Sequence, residues 1–253
     1  MKRTTLASLA LIAAVALLIL TGCPDANPVP EAPGTGDPLE TLDGWWLATG
    51  VAAGEMTLDI VVEATATEYT FLIFEEGELI EGSVHGTYQI SQSAIVTTDT
   101  EEFDAFEVNW VAVEGATAES RAYTYNATAQ TVRFSVEGVA VTFVKTPAPA
   151  IDESIVGWWE APDFGYLDLF AESYYFSHGD FYQSGTWTAL AGYILATIDA
   201  QSGAMYAQRM IAPQIETNSF HRYTFAPGAE SWQDILTIHF PDGDVVFNRE
   251  EPS

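Results

Sequence analysis

Gly44-Trp45-Trp46 and, 113 residues later, Gly157-Trp158-Trp159 open two copies of one pattern. Leu58-Asp59-Ile60 recurs as Leu167-Asp168-Leu169, and Glu68-Tyr69-Thr70-Phe71 as Ser173-Tyr174-Tyr175-Phe176. Gly86-Thr87-Tyr88 answers Gly185-Thr186-Trp187, Ile95-Val96 answers Ile194-Leu195, and Tyr123-Thr124-Tyr125 answers Tyr223-Thr224-Phe225. Val141-x-Phe143-x-Lys145 closes the first copy and Val245-x-Phe247-x-Arg249 the second. The offset drifts from 113 to 99 and back to 104, as short insertions and deletions in turns produce. Seven matches in one order mark an internal repeat. Thr146-Pro147-Ala148-Pro149-Ala150 separates the copies.

Each copy reads as strands. Val139, Val141 and Phe143 alternate with smaller or polar residues, and Tyr123 and Tyr125 flank Thr124. Abundant Thr, Val, Tyr and Phe suit a pleated, half-buried surface. Turn signals such as Glu76-Gly77, Glu137-Gly138, His178-Gly179 and Asp242-Gly243 are those of hairpins. No segment after Pro38 has a helical period. About eight or nine short strands per copy imply a sandwich or an up-and-down barrel.

Two details favour the barrel. A Gly-Trp-Trp sits on the first strand of each copy, and a cation, Lys145 or Arg249, ends the last. Each cation shares strand parity with Val and Phe and so points toward the apolar side. Barrel closure brings first and last strands together, where a cation over an indole contributes about 0.5–2 kcal/mol. Here the sequence resembles the lipocalin-like (calycin) family, whose Gly-x-Trp and last-strand Arg seal one end. The resemblance covers nearly all of residues 40–250 as two copies, and is nearest to the compact lipocalin-like modules of bacterial lipoproteins. The family's Thr-Asp-Tyr motif is absent. The resemblance implies an all-β fold of two tandem small antiparallel up-and-down β-barrels, about eight strands each. Residues 40–146 form repeat 1, 147–151 a linker, and 152–250 repeat 2.

The resemblance also implies a small apolar or amphipathic ligand inside the barrel. Candidate lining residues are Tyr69, Phe71, Tyr88, Tyr123 and Tyr125 in the first copy. Their counterparts are Tyr174, Phe176, Trp187, Tyr223 and Phe225. The same aromatics are equally suited to a filled core, since a small barrel can fill its interior with its own side chains. Arg121, two residues before Tyr123, shares its strand face, with His221 at the matching place. On an inward face Arg121 would hold an anionic headgroup; on the rim it is a solvated cation. Gly44, Trp46, Lys145, Gly157, Trp159 and Arg249 are expected to be structural, with Trp46 touching Lys145 and Trp159 touching Arg249.

The start of the chain reads as an address. Met1-Lys2-Arg3 precedes fifteen uncharged, mostly apolar residues, Leu6 to Leu20. That run suits a signal-peptide core and is short for a spanning helix. It ends in Leu20-Thr21-Gly22-Cys23, which resembles the lipobox of bacterial lipoproteins, and Cys23 is the single cysteine. The resemblance implies a signal peptide over 1–22 and lipid on Cys23, anchoring the protein to a membrane. Pro24 to Pro38 holds five prolines and two glycines, an extended tether within a 23–39 linker. The expected location is the cell envelope, facing the periplasm or the exterior, on either the inner or the outer membrane.

Charge excludes other partners. The 253 residues carry 8 Lys+Arg against 36 Asp+Glu, a net of -28. Loss of residues 1–22 removes Lys2 and Arg3 and no carboxylate, leaving a net of -30. Nucleic acid needs a basic surface, and anionic headgroups would repel this one. Such a surface suits hydration in a salty habitat, or attraction to cations and basic partners. One cysteine allows neither an internal disulfide nor a thiolate zinc site. His85, His178, His221 and His239 hold non-equivalent positions without metal spacing and read as turn or surface residues. No catalytic motif, cofactor loop or metal motif is visible. The sequence therefore points to a non-catalytic, membrane-anchored binding module. The alternative is an envelope scaffold with filled barrels and a protein partner.

Overall fold

The computed structural model describes residues 39–91, 94–105, 109–136, 138–202 and 219–250. The expected signal peptide, Cys23 and the tether through Pro38 lie outside these residues. The first half comprises β1 (Gly44–Ala53), β2 (Met56–Ala64), β3 (Glu68–Glu75), β4 (Glu78–Leu79) and β5 (Val84–Ile90). It continues with β6 (Ala94–Asp104), β7 (Asn109–Ala112), β8 (Glu119–Asn126), β9 (Thr131–Val136) and β10 (Val139–Thr146). The second half comprises β11 (Gly157–Ala161), β12 (Gly165–Leu169), β13 (Tyr174–His178) and β14 (Phe181–Leu190). β15 (Tyr193–Ser202), β16 (Ser219–Ala226), β17 (Ile235–Phe240) and β18 (Gly243–Arg249) complete it. Among the described residues the only helical element is a 3₁₀ turn at Ser231–Gln233.

All pairings are antiparallel. Each second-half strand pairs with the next, and β11 returns to β18 through Trp159↔Arg249, closing an eight-stranded barrel. First-half pairing runs β1-β2-β3-β5-β6-β8-β9-β10 and comes back to β1 through Trp46↔Lys145. β4 and β7 are short additions to that course. The repeat offset falls from 105 at Tyr69/Tyr174 to 99 at Gly86/Gly185, and the extra first-half residues contain β4.

Alternation along the strands sends one set of side chains inward. In the first half Trp46, Ile60, Phe71, Val132, Val141 and Phe143 belong to one buried core. In the second, Trp159, Leu169, Trp187, Leu236 and Phe247 belong to another. Gly86 and Gly185 sit at matching β-bulges, opposite β6 and β15 respectively. A Cβ at Gly185 would stand 1.7 Å from the Thr197 carbonyl oxygen, and one at Gly86 2.4 Å from that of Thr98, so the backbones approach where only glycine fits.

A third core joins the halves. Val61, Leu72, Phe74, Leu79 and Phe103 meet Leu190, Leu195 and Phe220 from the second half, all buried. Phe220 stacks on Phe74 at 5.0 Å and on Tyr193 at 4.3 Å. The Phe220 amide donates to the Gly77 carbonyl (2.8 Å), and Ser219 of β16 pairs with Glu78 of β4. Glu76 and Gly77 (φ 53° and 84°) make the tight turn that delivers β4 there. Because strands such as β2 are buried on both faces, Ile60-Val61-Val62 is apolar without alternation. The described residues all belong to one compact unit.

Candidate functional site

The aligned glycines, tryptophans and cations meet within each half. Lys145 Nζ stands 5.4 Å from the centre of the Trp46 ring, and Arg249 Cζ 4.4 Å from that of Trp159. Gly44 and Gly157 have φ of +113° and +150°, and a Cβ there would reach Lys145 Cε at 3.2 Å or Arg249 Nη1 at 2.6 Å. Glycine thus serves both the backbone conformation and the passage of the cation. The two seals differ in strength. Arg249 donates to the carbonyls of Val156 (2.7 Å) and Ser154 (2.6 Å). Its Nε lies 3.0 Å from Asp234 Oδ2, an ion pair by proximity whose angle is too bent for a hydrogen bond.

In each half the chain entering the first strand packs onto that half's core. Leu39 and Leu42 are buried in the first core, and Ile155 in the second. Trp46 Nε1 donates to the Leu42 carbonyl (2.6 Å), and Trp159 Nε1 to that of Ile155 (2.9 Å). Four residues expected to line a pocket help to hold these ends. The Tyr88 hydroxyl accepts from the Leu42 amide (3.3 Å) and donates to the Thr65 carbonyl (2.6 Å). Tyr123 accepts from the Leu39 amide (3.3 Å) and donates to the Ser91 carbonyl (3.2 Å). Tyr223 donates to Asp152 Oδ2 (2.6 Å), and Trp187 Nε1 to the Phe170 carbonyl (2.8 Å). Leu39 belongs to the closing segment, so the first core includes the last residue of the expected linker.

The other interior candidates sit among their own kind. Phe71 meets Phe143 edge-on at 6.1 Å, and Phe225 meets Trp159 edge-on at 6.4 Å. Tyr125 is half-buried against the first core and accepts from Gln130 Nε2 (3.2 Å); Tyr174 is buried in the second. The Tyr69 hydroxyl donates to the Asp99 carboxylate, and burial first, then that carboxylate, holds its pKa above the ordinary phenol range. Arg121 donates to Thr97 Oγ1 (2.5 Å) and pairs with Glu119, so its charge is met within the chain.

His178 is exposed at the β13–β14 turn, as expected, but His221 and His85 correct the surface reading. His221 lies on β16 beside Phe240, 4.7 Å between ring centres, and burial lowers its pKa to about 4, keeping it neutral. His85 is within β5, bonded to Thr70 Oγ1 (2.8 Å) and 3.8 Å from the Trp110 ring. His85 lies on an outer face that is covered where the halves meet, whereas His221 lies on the inner face of β16, opposite Ile194 of the second core, and a turn of the first half abuts it. No group of three or more His, Cys, Asp or Glu among the described residues is placed to hold a metal.

Away from the closed end, the second interior ends in phenylalanines. Phe164, from the β11–β12 turn, lies 5.4 Å from both Phe176 and Phe240, and Phe176 6.0 Å from Phe181. Phe164, Phe176, Phe181 and Phe240 are half-buried.

The outside of the same half carries a feature that the repeat pattern does not reveal. Trp158, Tyr166, Tyr175 and Tyr182 are 50%, 48%, 38% and 39% exposed on the adjacent strands β11 to β14. Tyr175 and Tyr182 stack at 6.1 Å. Cross-strand pairing sets Trp158 opposite Asp168, Asp168 opposite Tyr175, and Glu160 opposite Tyr166. A surface depression of about 420 Å³, lined by Glu160, Pro162, Asn248, Arg249 and Glu250, borders it. Strand parity was the available signal: each of these aromatics occupies a position opposite in face to the core residues beside it.

A scan against protein-family models, a search of curated proteins and a search of solved structures each returned no match.

Proposed function

We propose that this chain is a non-catalytic envelope lipoprotein, held to a membrane by lipid on Cys23 and working through its outer surface as an interaction scaffold. A signal peptide over 1–22 directs it, and the proline-rich tether lifts two tandem lipocalin-like barrels, 40–146 and 152–250, from the bilayer. The two circuits of antiparallel pairing and the repeated Gly-Trp-Trp with its cation support the paired barrels. The observation that carries the scaffold reading is the use of the interior. Tyr88, Tyr123, Trp187 and Tyr223 bind backbone or carboxylate partners of the same half, and Trp46, Phe143, Trp159 and Phe247 are all but fully buried. Exposed aromatics stand instead on the outer face of β11–β14.

Labelling with a palmitate analogue tests the anchor: Cys23→Ser should abolish label and membrane retention together. Titration of residues 34–253 with a fluorescent fatty acid tests the interior, and the expected result is no saturable binding. Saturable binding displaced by unlabelled fatty acid would replace the scaffold with a carrier. The half-buried Phe164, Phe176 and Phe240 beside neutral His221 favour that second reading, with a small apolar ligand at that end.

A further inference from the structure

The two halves use equivalent surfaces differently. Trp45 and Trp158 are aligned, one residue before the indole that seals each barrel. Trp45 and the next outward residue of β1, Leu47, pack against the core that joins the halves. At the aligned position after Trp159, Leu47 is replaced by Glu160, and Trp158 stays half exposed. Among the described residues, the face that receives a neighbour in the first half is uncovered in the second, and it has exchanged aliphatic for acidic character.

A second aligned pair shows the same change. Asp59 Oδ1 accepts from the Gly50 amide (2.8 Å). Asp168, its counterpart, has no hydrogen-bond partner among the described residues and stands between Trp158 and Tyr175. Burial first, then the nearby Glu250 carboxylate, raises its pKa, so two negative groups oppose one another without a cation between them. Residues 150–208 contain eight carboxylates and neither Lys nor Arg. Arg249, at the edge of the adjoining depression, is already engaged by Asp234, Ser154 and Val156.

Exposed indole and phenol faces attract cations through their ring quadrupoles, and interleaved carboxylates add charge and hydrogen-bond acceptors. An apolar partner would bury the Glu160 carboxylate with the Tyr166 hydroxyl as its donor, and Asp168 with none, so neither charge would be compensated, a cost that a basic partner avoids. We propose that the outer face of β11–β14, built from Trp158, Tyr166, Tyr175 and Tyr182 with Glu160 and Asp168, docks an arginine- or lysine-rich segment of a partner protein. Guanidinium groups lie over the Trp158 and Tyr rings while their N–H groups donate to Glu160 and Asp168. This inference deepens the scaffold reading and rests on it.

The test is calorimetric titration of residues 34–253 with hexa-arginine at low salt, with amide chemical shifts mapping the contact. Expected is saturable binding with shifts centred on β11–β14. Trp158→Ala should weaken it at least tenfold, and Glu160→Gln with Asp168→Asn by a similar factor. Glu101→Gln with Glu102→Gln, which removes two exposed carboxylates from β6, should weaken it less than twofold. Equal losses in both carboxylate pairs would mean diffuse attraction to an acidic protein and would overturn the proposal. So would no binding, or concentration-dependent self-association that covers the same face, which would make the occupant a second copy. A fatty acid found inside the barrel defeats the scaffold reading whatever the peptide does. An apo interior with no peptide binding defeats only the choice of partner.

Discussion

Replacing the two aligned cations by alanine should have unequal consequences. Arg249 and Asp234 have side chains 17% and 11% exposed. Removing the guanidinium leaves the Asp234 carboxylate without its counter-charge, held by the Gly228 amide (2.9 Å), and withdraws the donors of the Ser154 and Val156 carbonyls. Breaking a buried pair from one side costs about 3–5 kcal/mol. Lys145 is exposed, its ammonium is farther from its indole, and it has no ion pair among the described residues. An exposed cation–π contact contributes about 0.5–1 kcal/mol. Urea unfolding of residues 34–253, followed by tryptophan fluorescence, measures both. Arg249→Ala should lose at least about three times the free energy lost by Lys145→Ala. Arg249→Met combined with Asp234→Asn should recover part of the loss, because no charge is then left alone and the Asn side-chain oxygen still accepts from the Gly228 amide. Equal losses would refute the reasoning that burial and the Asp234 partner, rather than the indole, make the second seal strong.

Phe220→Ala removes a ring stacked on both Phe74 and Tyr193, and should cost about 3–5 kcal/mol. Since Phe220 lies between the halves, calorimetry should also show one unfolding transition dividing into two; a single, merely shifted transition would contradict a shared core. His221 is neutral in the fold, with a pKa lowered from 6.5 to about 4. The unfolded chain takes its proton first as pH falls, so this group's stabilisation is complete above 6.5 and declines toward 4, by about 3 kcal/mol in all. His221→Phe should flatten that part of the pH–stability profile, and an unchanged slope would assign it to other groups. Phe164→Ala removes the ring central to the half-buried phenylalanines and should admit a small apolar probe such as an environment-sensitive naphthalene dye. No gain in dye binding would mean the neighbouring rings collapse into the space.

The repeat and the pairing of strands are legible because their causes are local. Glycine at the bulges, glycine beside a cation, and an indole on the first strand must all recur if the same geometry recurs. Val141, Phe143 and Lys145 show which way the last strand faces, and the structure places all three as their parity implies. The junction between halves was harder to see. Its members lie on outer faces, where an apolar residue such as Leu72 or Leu195 resembles a lapse in alternation until a neighbour covers it. The runs Ile60-Val61-Val62 and Ile194-Leu195-Ala196 carried the information, because only a strand buried on both sides has reason to be continuously apolar. The hydrogen bonds of the tyrosines were illegible for another reason: composition says that an inward aromatic is present, but not that the chain before β1 will return to donate to the Tyr88 and Tyr123 hydroxyls, or that Asp152 before β11 will accept from Tyr223. Residue type likewise suggested a surface role for His221, which burial by a turn from the other half overrode.

The central claim, that the interiors are filled and the outer face does the work, is tested most directly by native mass spectrometry. The sample is residues 24–253, exported to the periplasm of a bacterial host behind a cleavable signal peptide that carries no lipobox and purified without detergent. The account expects the mass of the bare polypeptide, unchanged after incubation with long-chain fatty acids. An excess mass that disappears on organic extraction would contradict it, and would identify the chain as a carrier of the extracted molecule.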